Sequence, residues 1–217
     1  MNLSNNQLRA VLWDLDGTLI DSMPYHGEAW NDMLEPLGYR FTLEQFRQTF
    51  GLRNDDIVRD YLKLDRPQAE LQRLIDAKEE RYRAIVRERG LILLPGAQYW
   101  LNYFKARHWR QAIVSSAPYL NVEAVLRSSN LGAYMDTIVG AEDVERGKPD
   151  PQPFLLAAER LEVNPVRCVV VEDAPAGLEG ARRAGMRTVG ILSTHEKLEA
   201  DVVVKTLEAL TPDAFDS

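Results

Sequence analysis

The sequence predicts an α/β protein: a doubly wound parallel sheet of Rossmann-like type, with a helical unit inserted after the first strand. Two observations carry this. Short apolar runs, "AVLW", "QAIVSS", "CVVVED", "RTVGIL" and "DVVV", recur with helical patterns between them. Continuous apolar runs of that length suit strands covered on both faces by crossover helices. Between the first run and the second, residues 21 to 91 intervene, a stretch too long for one crossover and patterned as helix.

The first run, Ala10 to Trp13, leads into "DLDGT". Asp14 ends the strand and Asp16 follows two residues on, so an extended backbone aims both carboxylates to one side. Held together, they need a cation or a shared proton. A hard divalent ion such as Mg2+, bound through oxygens and bridging to a phosphate, is the natural solution. Gly17 permits a turn or a close backbone approach, and Thr18 adds a hydroxyl. The bland alternative is a solvated turn, since Asp-Gly pairs are frequent in turns.

The inserted stretch reads as helices. Thr42 is placed to cap one that carries Phe46 and Phe50 four residues apart. The segment "RPQAELQRLIDAKEERYRAIVRERG" predicts a long helix with Leu71, Leu74, Ile75, Tyr82 and Ile85 along one stripe, Pro67 near its start and Gly90 at its end. Pro95 and Gly96 then punctuate the return to the sheet. The division expected is a core of residues 1–20 and 92–217 and a helical unit of residues 21–91, with Asp21 at the passage between them. The C-terminal "TLEALTPDAFDS" predicts one short helix and a loose end.

Later strand ends carry polar groups as well. "QAIVSSA" ends in Ser115 and Ser116, hydroxyls suited to a phosphate oxygen or, more ordinarily, to capping the next helix. Lys148 precedes Pro149, Pro151 and Pro153, which stiffen its loop; the alternative is a solvated surface charge. "CVVVEDAPAGLEGARRAGM" repeats the opening device, a strand ending in Glu172 and Asp173, followed by a helix with Gly177, Ala181 and Ala184 on a narrow face. Its bland reading is Asp173 as a helix cap. In a doubly wound sheet, ligands bind beyond the carboxyl ends of the strands. Two core strands ending in acid pairs, with hydroxyls and a lysine between them in sequence, are hard to dismiss together.

Composition narrows the function classes. The chain has 217 residues, 45% hydrophobic and 27% charged, and a formal net charge of -7. The acidic balance argues against a nucleic-acid surface and leaves a small phosphorylated ligand open. The single cysteine, Cys168, makes no internal disulfide and opens an apolar run, so it is expected to be a buried packing residue in a reducing compartment. The first ten residues lack the charged and apolar regions of a signal peptide, and no run approaches a membrane span. The expectation is a soluble cytoplasmic protein without a membrane partner, as a monomer or weak dimer.

The four segments, in this order, resemble the haloacid dehalogenase superfamily over nearly the whole chain. "DLDGT", Ser115 after "AIV", the lysine of "GKPDP" and the acids of "VVVEDAPAGLEGARRAGM" match its four motifs. The inserted unit resembles the family's all-helical cap, and "LIDSMPYHGEAW" with "GLRNDD" resembles the branch of β-phosphoglucomutase and the sugar-phosphate phosphatases. The resemblance implies a Mg2+-dependent phosphatase of a small phosphomonoester, a sugar phosphate by preference, working through an aspartyl phosphate; the alternative is a sugar phosphomutase.

It also implies roles. Asp14 matches the nucleophile and Asp16 the acid/base. Chemistry then expects Asp14 ionised beside the metal and Asp16 able to hold a proton. Ser115 and Lys148 match the groups that hold the transferring phosphoryl oxygens, with Ser116 beside them. Mg2+ would be held by Asp14, Asp173 and the backbone carbonyl of Asp16, with Glu172 close by or acting through water. Asp16 points to phosphate esters, because the carbon-halogen hydrolases of the group lack an acid there. In the cap, His26 matches a histidine that contacts the acid/base, and Lys78 a lysine that reaches the substrate; each could equally be an ordinary polar residue of a helix. The mutase carries Gly-x-Ser-Arg where this chain has Arg53 one position early and Asn54 in the arginine's place, which favours the hydrolase.

Overall fold

The structure, a computed structural model, describes residues 8–49 and 54–216. Six strands form one sheet: β1 (Ala10–Trp13), β2 (Arg110–Val114), β3 (Thr137–Val139), β4 (Cys168–Glu172), β5 (Arg187–Ile191) and β6 (Val202–Val204), in the order β3-β2-β1-β4-β5-β6. Every pairing is parallel. The four runs Ala10–Trp13, Arg110–Val114, Cys168–Glu172 and Arg187–Ile191 are almost wholly buried, as strands covered on both faces must be. β3 is a strand that the apolar runs did not reveal. At three residues on the sheet edge, with only Val139 fully buried, it needs no long run.

Alternation along β1 splits the core into two layers. Val11 and Trp13 face one cluster with Trp100, Leu101 and Phe104 of α5 (Ala97–Ala106) and Val122 and Val125 of α6 (Tyr119–Ser129). Ala10 and Leu12 face the other, with Phe154 and Ala157 of α7 (Gln152–Arg160) and Ala181 of α8 (Pro175–Arg183). Cys168 is buried in this second layer. The C-terminal stretch differs from expectation: it forms two short 3-10 turns, Leu207–Ala209 and Pro212–Phe215, rather than one helix. Phe215 is pinned against Trp100 and Phe104, so the end of the chain is not loose.

Residues between β1 and β2 are helical. α1 (Met23–Leu34), α2 (Leu43–Thr49), α3 (Asn54–Asp56), a π-helical turn (Ile57–Tyr61) and α4 (Gln68–Arg89) follow in order. Thr42 caps α2 as expected: its Oγ1 accepts from the Gln45 backbone N–H, and the Gln45 side chain accepts from the Thr42 N–H in return. Phe50 lies outside the described residues. These helices bury a cluster of their own, including Trp30, Leu34, Phe41, Phe46, Ile57, Leu71 and Ile75. Side chains of that size contribute about 1.5–3 kcal/mol each on burial, so the segment has an apolar centre separate from the sheet's. The strand-like crossings that enter and leave it lie side by side: Leu94 N–H donates to the Leu19 carbonyl at 2.9 Å, and Ile20 bridges Leu93 antiparallel.

Candidate active site

β1 is central, and the chain winds outward from it in both directions, through β2 to β3 and through β4 to β6. The crevice at that reversal, beyond the carboxyl ends of β1 and β4, is where such sheets bind ligands. Register brings the polar strand ends there. Trp13 pairs with both Ile113 and Val171, so Asp14 emerges beside Glu172 and Asp173 on one side and Ser115 on the other. A cavity of about 220 Å³ opens at this point, lined by Asp14, Asp16, Ser115, Ser116 and Lys148 and also by the apolar Trp30, Phe46 and Ile75.

Asp14 is buried, as are Glu172 and Asp173, and each offers a carboxylate oxygen within 4.8 Å of the others. Lys148 reaches into this group. Its Nζ donates to Asp14 Oδ1 at 2.6 Å and to Glu172 Oε1 at 2.8 Å. The lysine is therefore no solvated surface charge. Burial would lower its pKa, but Asp14 and Glu172 outweigh that and hold the ammonium above the ordinary lysine range. Glu172 Oε2 accepts from the Ala174 N–H at the start of α8. Asp173 does not cap that helix. Its Oδ1 accepts from Thr18 at 2.8 Å and its Oδ2 from Thr194 through a short hydrogen bond.

Burial pushes the Asp14 carboxyl well above the usual carboxylate range; Lys148 opposes this, while Glu172 and Asp173 add to it. Asp173 is raised in the same way, by burial and then by Glu172. Three acids against one ammonium leave surplus negative charge in a place with little water. This donor set fits a hard divalent cation: oxygen ligands only, mutually close, and each raised member relieved by added positive charge.

Asp16 faces elsewhere. Its Oδ1 accepts from Ser22 at 2.5 Å and lies 3.7 Å from His26 Nε2. Burial would raise its pKa, but His26 and Ser22 outweigh burial and hold the carboxyl below the ordinary range. Both carboxylates border the same cavity, but the Asp16 carboxylate stays outside the group formed by Asp14, Glu172 and Asp173, and the chain turns just after it at Gly17, whose φ is +90°. Asp14 is the raised carboxyl and Asp16 the lowered one, so positive charge added to the acidic group would favour the ionised Asp14 expected beside a metal. Burial, with Glu172 and Asp173 adding to it, raises Asp14, and against burial the contacts with His26 and Ser22 lower Asp16.

The helical segment supplies the remaining candidates. His26 lies against Asp16 as expected. Lys78 is buried and spends its Nζ on Glu79 Oε1 at 2.8 Å and on His26 Nδ1 at 2.9 Å, while Asn54 Nδ2 donates to the same Glu79 oxygen at 2.6 Å. Both border the cavity, yet their polar atoms are engaged within the protein. Arg53 lies outside the described residues. Ser115 is buried and its Oγ accepts from the Ala117 N–H, while Ser116 is exposed on the cavity wall. Sequence reasoning missed Ser22, Thr194, Glu79 and Asn121. Thr194, just past the end of β5, carried the same strand-end signal as Ser115; Glu79, inside a charged run, carried none.

The fold and this crevice define an α/β protein with a buried group of carboxylates at the switch point of a doubly wound sheet. Comparison with known proteins narrows the class. Residues 8–185 match the haloacid dehalogenase-like hydrolase family. The chain is 31% identical over 202 residues to validoxylamine A 7'-phosphate phosphatase of Streptomyces hygroscopicus subsp. limoneus, covering 92% of this chain and 94% of that protein. It is 30% identical over 210 residues to the beta-phosphoglucomutase of Bacillus subtilis, covering 94% and 92%. The crystal structure of CbbY from Rhodobacter sphaeroides in complex with phosphate superimposes with a TM-score of 0.86 at 27% identity, covering 97% of this chain and 100% of the other. The chain belongs to the haloacid dehalogenase-like hydrolases, and is an enzyme of their phosphoric monoester hydrolase kind. Among the described residues, no helix is long and apolar enough to cross a membrane.

Proposed function

We propose that this chain is a Mg2+-dependent phosphatase of a small phosphomonoester, a sugar phosphate by preference, acting through an aspartyl phosphate on Asp14. The observation that carries the reading is the difference in surroundings between two carboxylates two residues apart. Asp14 sits against Lys148 and two further acids, whereas Asp16, bordering the same cavity, sits against Ser22 and His26.

An Asp14 oxygen attacks phosphorus and the ester P–O bond breaks, with Asp16 giving its proton to the departing alkoxide. The same carboxylate then takes a proton from water as that water attacks the aspartyl phosphate. The P–O bond to Asp14 breaks, inorganic phosphate leaves, and both carboxyl groups are restored. The incoming phosphate dianion, a like charge beside Asp16, raises that carboxyl and favours the protonated form the first step needs. Lys148 and Ser115 hold the phosphoryl oxygens, with Ser116 on the same wall, and positioning with charge neutralisation is most of what this transfer requires. Asp14, Asp173 and the Asp16 carbonyl, with Glu172 nearby, would hold Mg2+, which would supply charge neutralisation for the transfer.

In this reading residues 21–91 act as a cap over residues 1–20 and 92–217, and the cavity's apolar lining receives the carbon skeleton of the ester. The relatives' names, one a phosphatase and one a phosphomutase, set the test. Incubation with Mg2+ and a panel of sugar phosphates is expected to release inorganic phosphate. Isomerisation of a sugar 1-phosphate without net release, dependent on a bisphosphate primer, would replace the phosphatase by a mutase. No turnover of any ester would remove both.

A further inference from the structure

Glu79 lies on α4 within a run of charged residues, yet it faces inward and is only 6% exposed. Both of its oxygens are engaged. Oε1 accepts from Lys78 and Asn54, and Oε2 accepts a short hydrogen bond from Asn121 Nδ2. Asn121 is 1% exposed and belongs to α6, the helix that follows Ser115 in the sheet-bearing part of the chain. Its Oδ1 accepts from Arg83, one turn further along α4, at 2.9 Å. The carboxylate thus ties the inserted helices to the sheet-bearing part at the edge of the cavity.

The tie continues to Asp16. The Lys78 ammonium has no lone pair, so His26 Nδ1, 2.9 Å away, must accept from it. The imidazole proton is then on Nε2, the nitrogen that faces Asp16 Oδ1. The ring is held flat on Tyr82, with centroids 3.8 Å apart and planes within 5°. From Asn121 through Glu79, Lys78 and His26 to Asp16, each group sets the orientation of the next.

We propose that Asn121 and Glu79 are positioning residues for the acid/base carboxylate. Asn121 seats Glu79, and through it Lys78 and His26, so that Nε2–H is presented to Asp16 when α4 is docked on α6. The inference rests on the reading of Asp16 as acid/base. Glu79 has no free oxygen for the ester, so it acts through His26.

The test is Asn121→Asp, which keeps the side chain's shape and the oxygen for Arg83 but sets an oxygen against Glu79 Oε2. In the full chain with Mg2+ and a turned-over ester, kcat is expected to fall about tenfold to a hundredfold, the worth of a hydrogen bond to a charged group. KM and inhibition by inorganic phosphate should stay within about threefold, because the ester's phosphate is held from the Ser115 and Lys148 side. Adding Glu79→Gln to that variant reverses the pair, the introduced amide donating to the introduced carboxylate, and should recover most of the lost kcat. A merely structural contact would move stability and leave this split and rescue absent.

The second readout needs no substrate. The chain has three histidines, so 15N–1H correlation spectra resolve the His26 tautomer; Nε2–H alone is expected in the native chain and a tautomer mixture in Asn121→Asp. Unchanged kcat in a variant of an active enzyme, or the same tautomer in both proteins, overturns the proposal while leaving the phosphatase reading intact. Absence of turnover by the native chain overturns the phosphatase reading, and the tautomer comparison still decides the link from Asn121 to His26.

Discussion

Gly177→Ala separates local propensity from tertiary constraint. Gly177 is in α8, and in a helix interior alanine is favoured over glycine by about 1 kcal/mol. Propensity alone predicts a more stable protein. In this structure a Cβ at Gly177 would stand 2.7 Å from Glu172 Cγ and closer still to its carboxyl carbon and Oε1, where real Cβ contacts essentially never fall below 3.0 Å. Glu172 is buried and held on one side by Lys148 and on the other by the Ala174 N–H, so its carboxylate has nowhere to retreat without breaking one of those bonds. Overpacking of this kind costs about 1–3 kcal/mol, and a lost hydrogen bond to a charged group about 1.5–3 kcal/mol. Set against the propensity gain, the net loss is about 2–4 kcal/mol, or roughly 5–15 °C in Tm for a chain of this length. Thermal and urea unfolding measure it, with Gly147→Ala as the control, since nothing lies within 4 Å of that position. Because displaced Glu172 disturbs Lys148 and Asp14, phosphate release should fall at least tenfold as well. A Gly177→Ala protein with native or raised Tm and full activity would refute the packing argument.

Three further outcomes are expected. Asp14→Asn should abolish ester turnover while leaving the Tm of the metal-free protein unchanged or higher, because burial and the neighbouring acids already disfavour the charged form; a clear drop in Tm would contradict this. Mg2+ added to chelator-treated protein should raise Tm, by about 2.7 kcal/mol of stability at a hundredfold excess over Kd, and Asp173→Ala should remove that shift in differential scanning calorimetry. Burial would raise the Glu79 carboxyl, but Lys78 and His26 bring it down to about 2. A depressed carboxyl stabilises the fold above its unfolded value of 4.5 and loses that contribution as pH falls toward 2, a span worth about 3 kcal/mol. Glu79→Gln should therefore be less stable than the native chain at pH 7, with the gap closing by pH 2 to 3 in urea titrations; a gap independent of pH would refute the assignment.

Much of the fold was legible because its signals are local. Apolar runs such as "CVVVED" are buried on both faces, and Pro67 and Gly90 marked α4 to within a residue of its ends. β3 escaped because a three-residue edge strand needs no run, and the last residues formed 3-10 turns rather than a helix because Phe215 packs against Trp100 and Phe104. Of the site, Asp14, Ser115, Glu172 and Asp173 could be read from their places at strand ends, and Lys148 from the prolines that follow it. Around Asp16, His26 and Lys78 were reached only through the family resemblance, and Ser22, Glu79 and Asn121 not at all, because they come from three separate helical regions and look like ordinary surface polar residues in sequence.

What the amino-acid order determined by itself is where the strands stop and which residue types stand there, since strand ends and turns follow from side-chain pattern and glycine placement. What only tertiary structure decided is which way each carboxylate points and what it meets. Asp14 and Asp16 are two residues apart, yet one is raised by burial and neighbouring acids and the other lowered by His26 and Ser22. Those neighbours are set by parallel register and by α4 docking on α6. Protonation follows from the charges, hydrogen bonds and water within a few ångströms, and packing chooses them from distant parts of the chain.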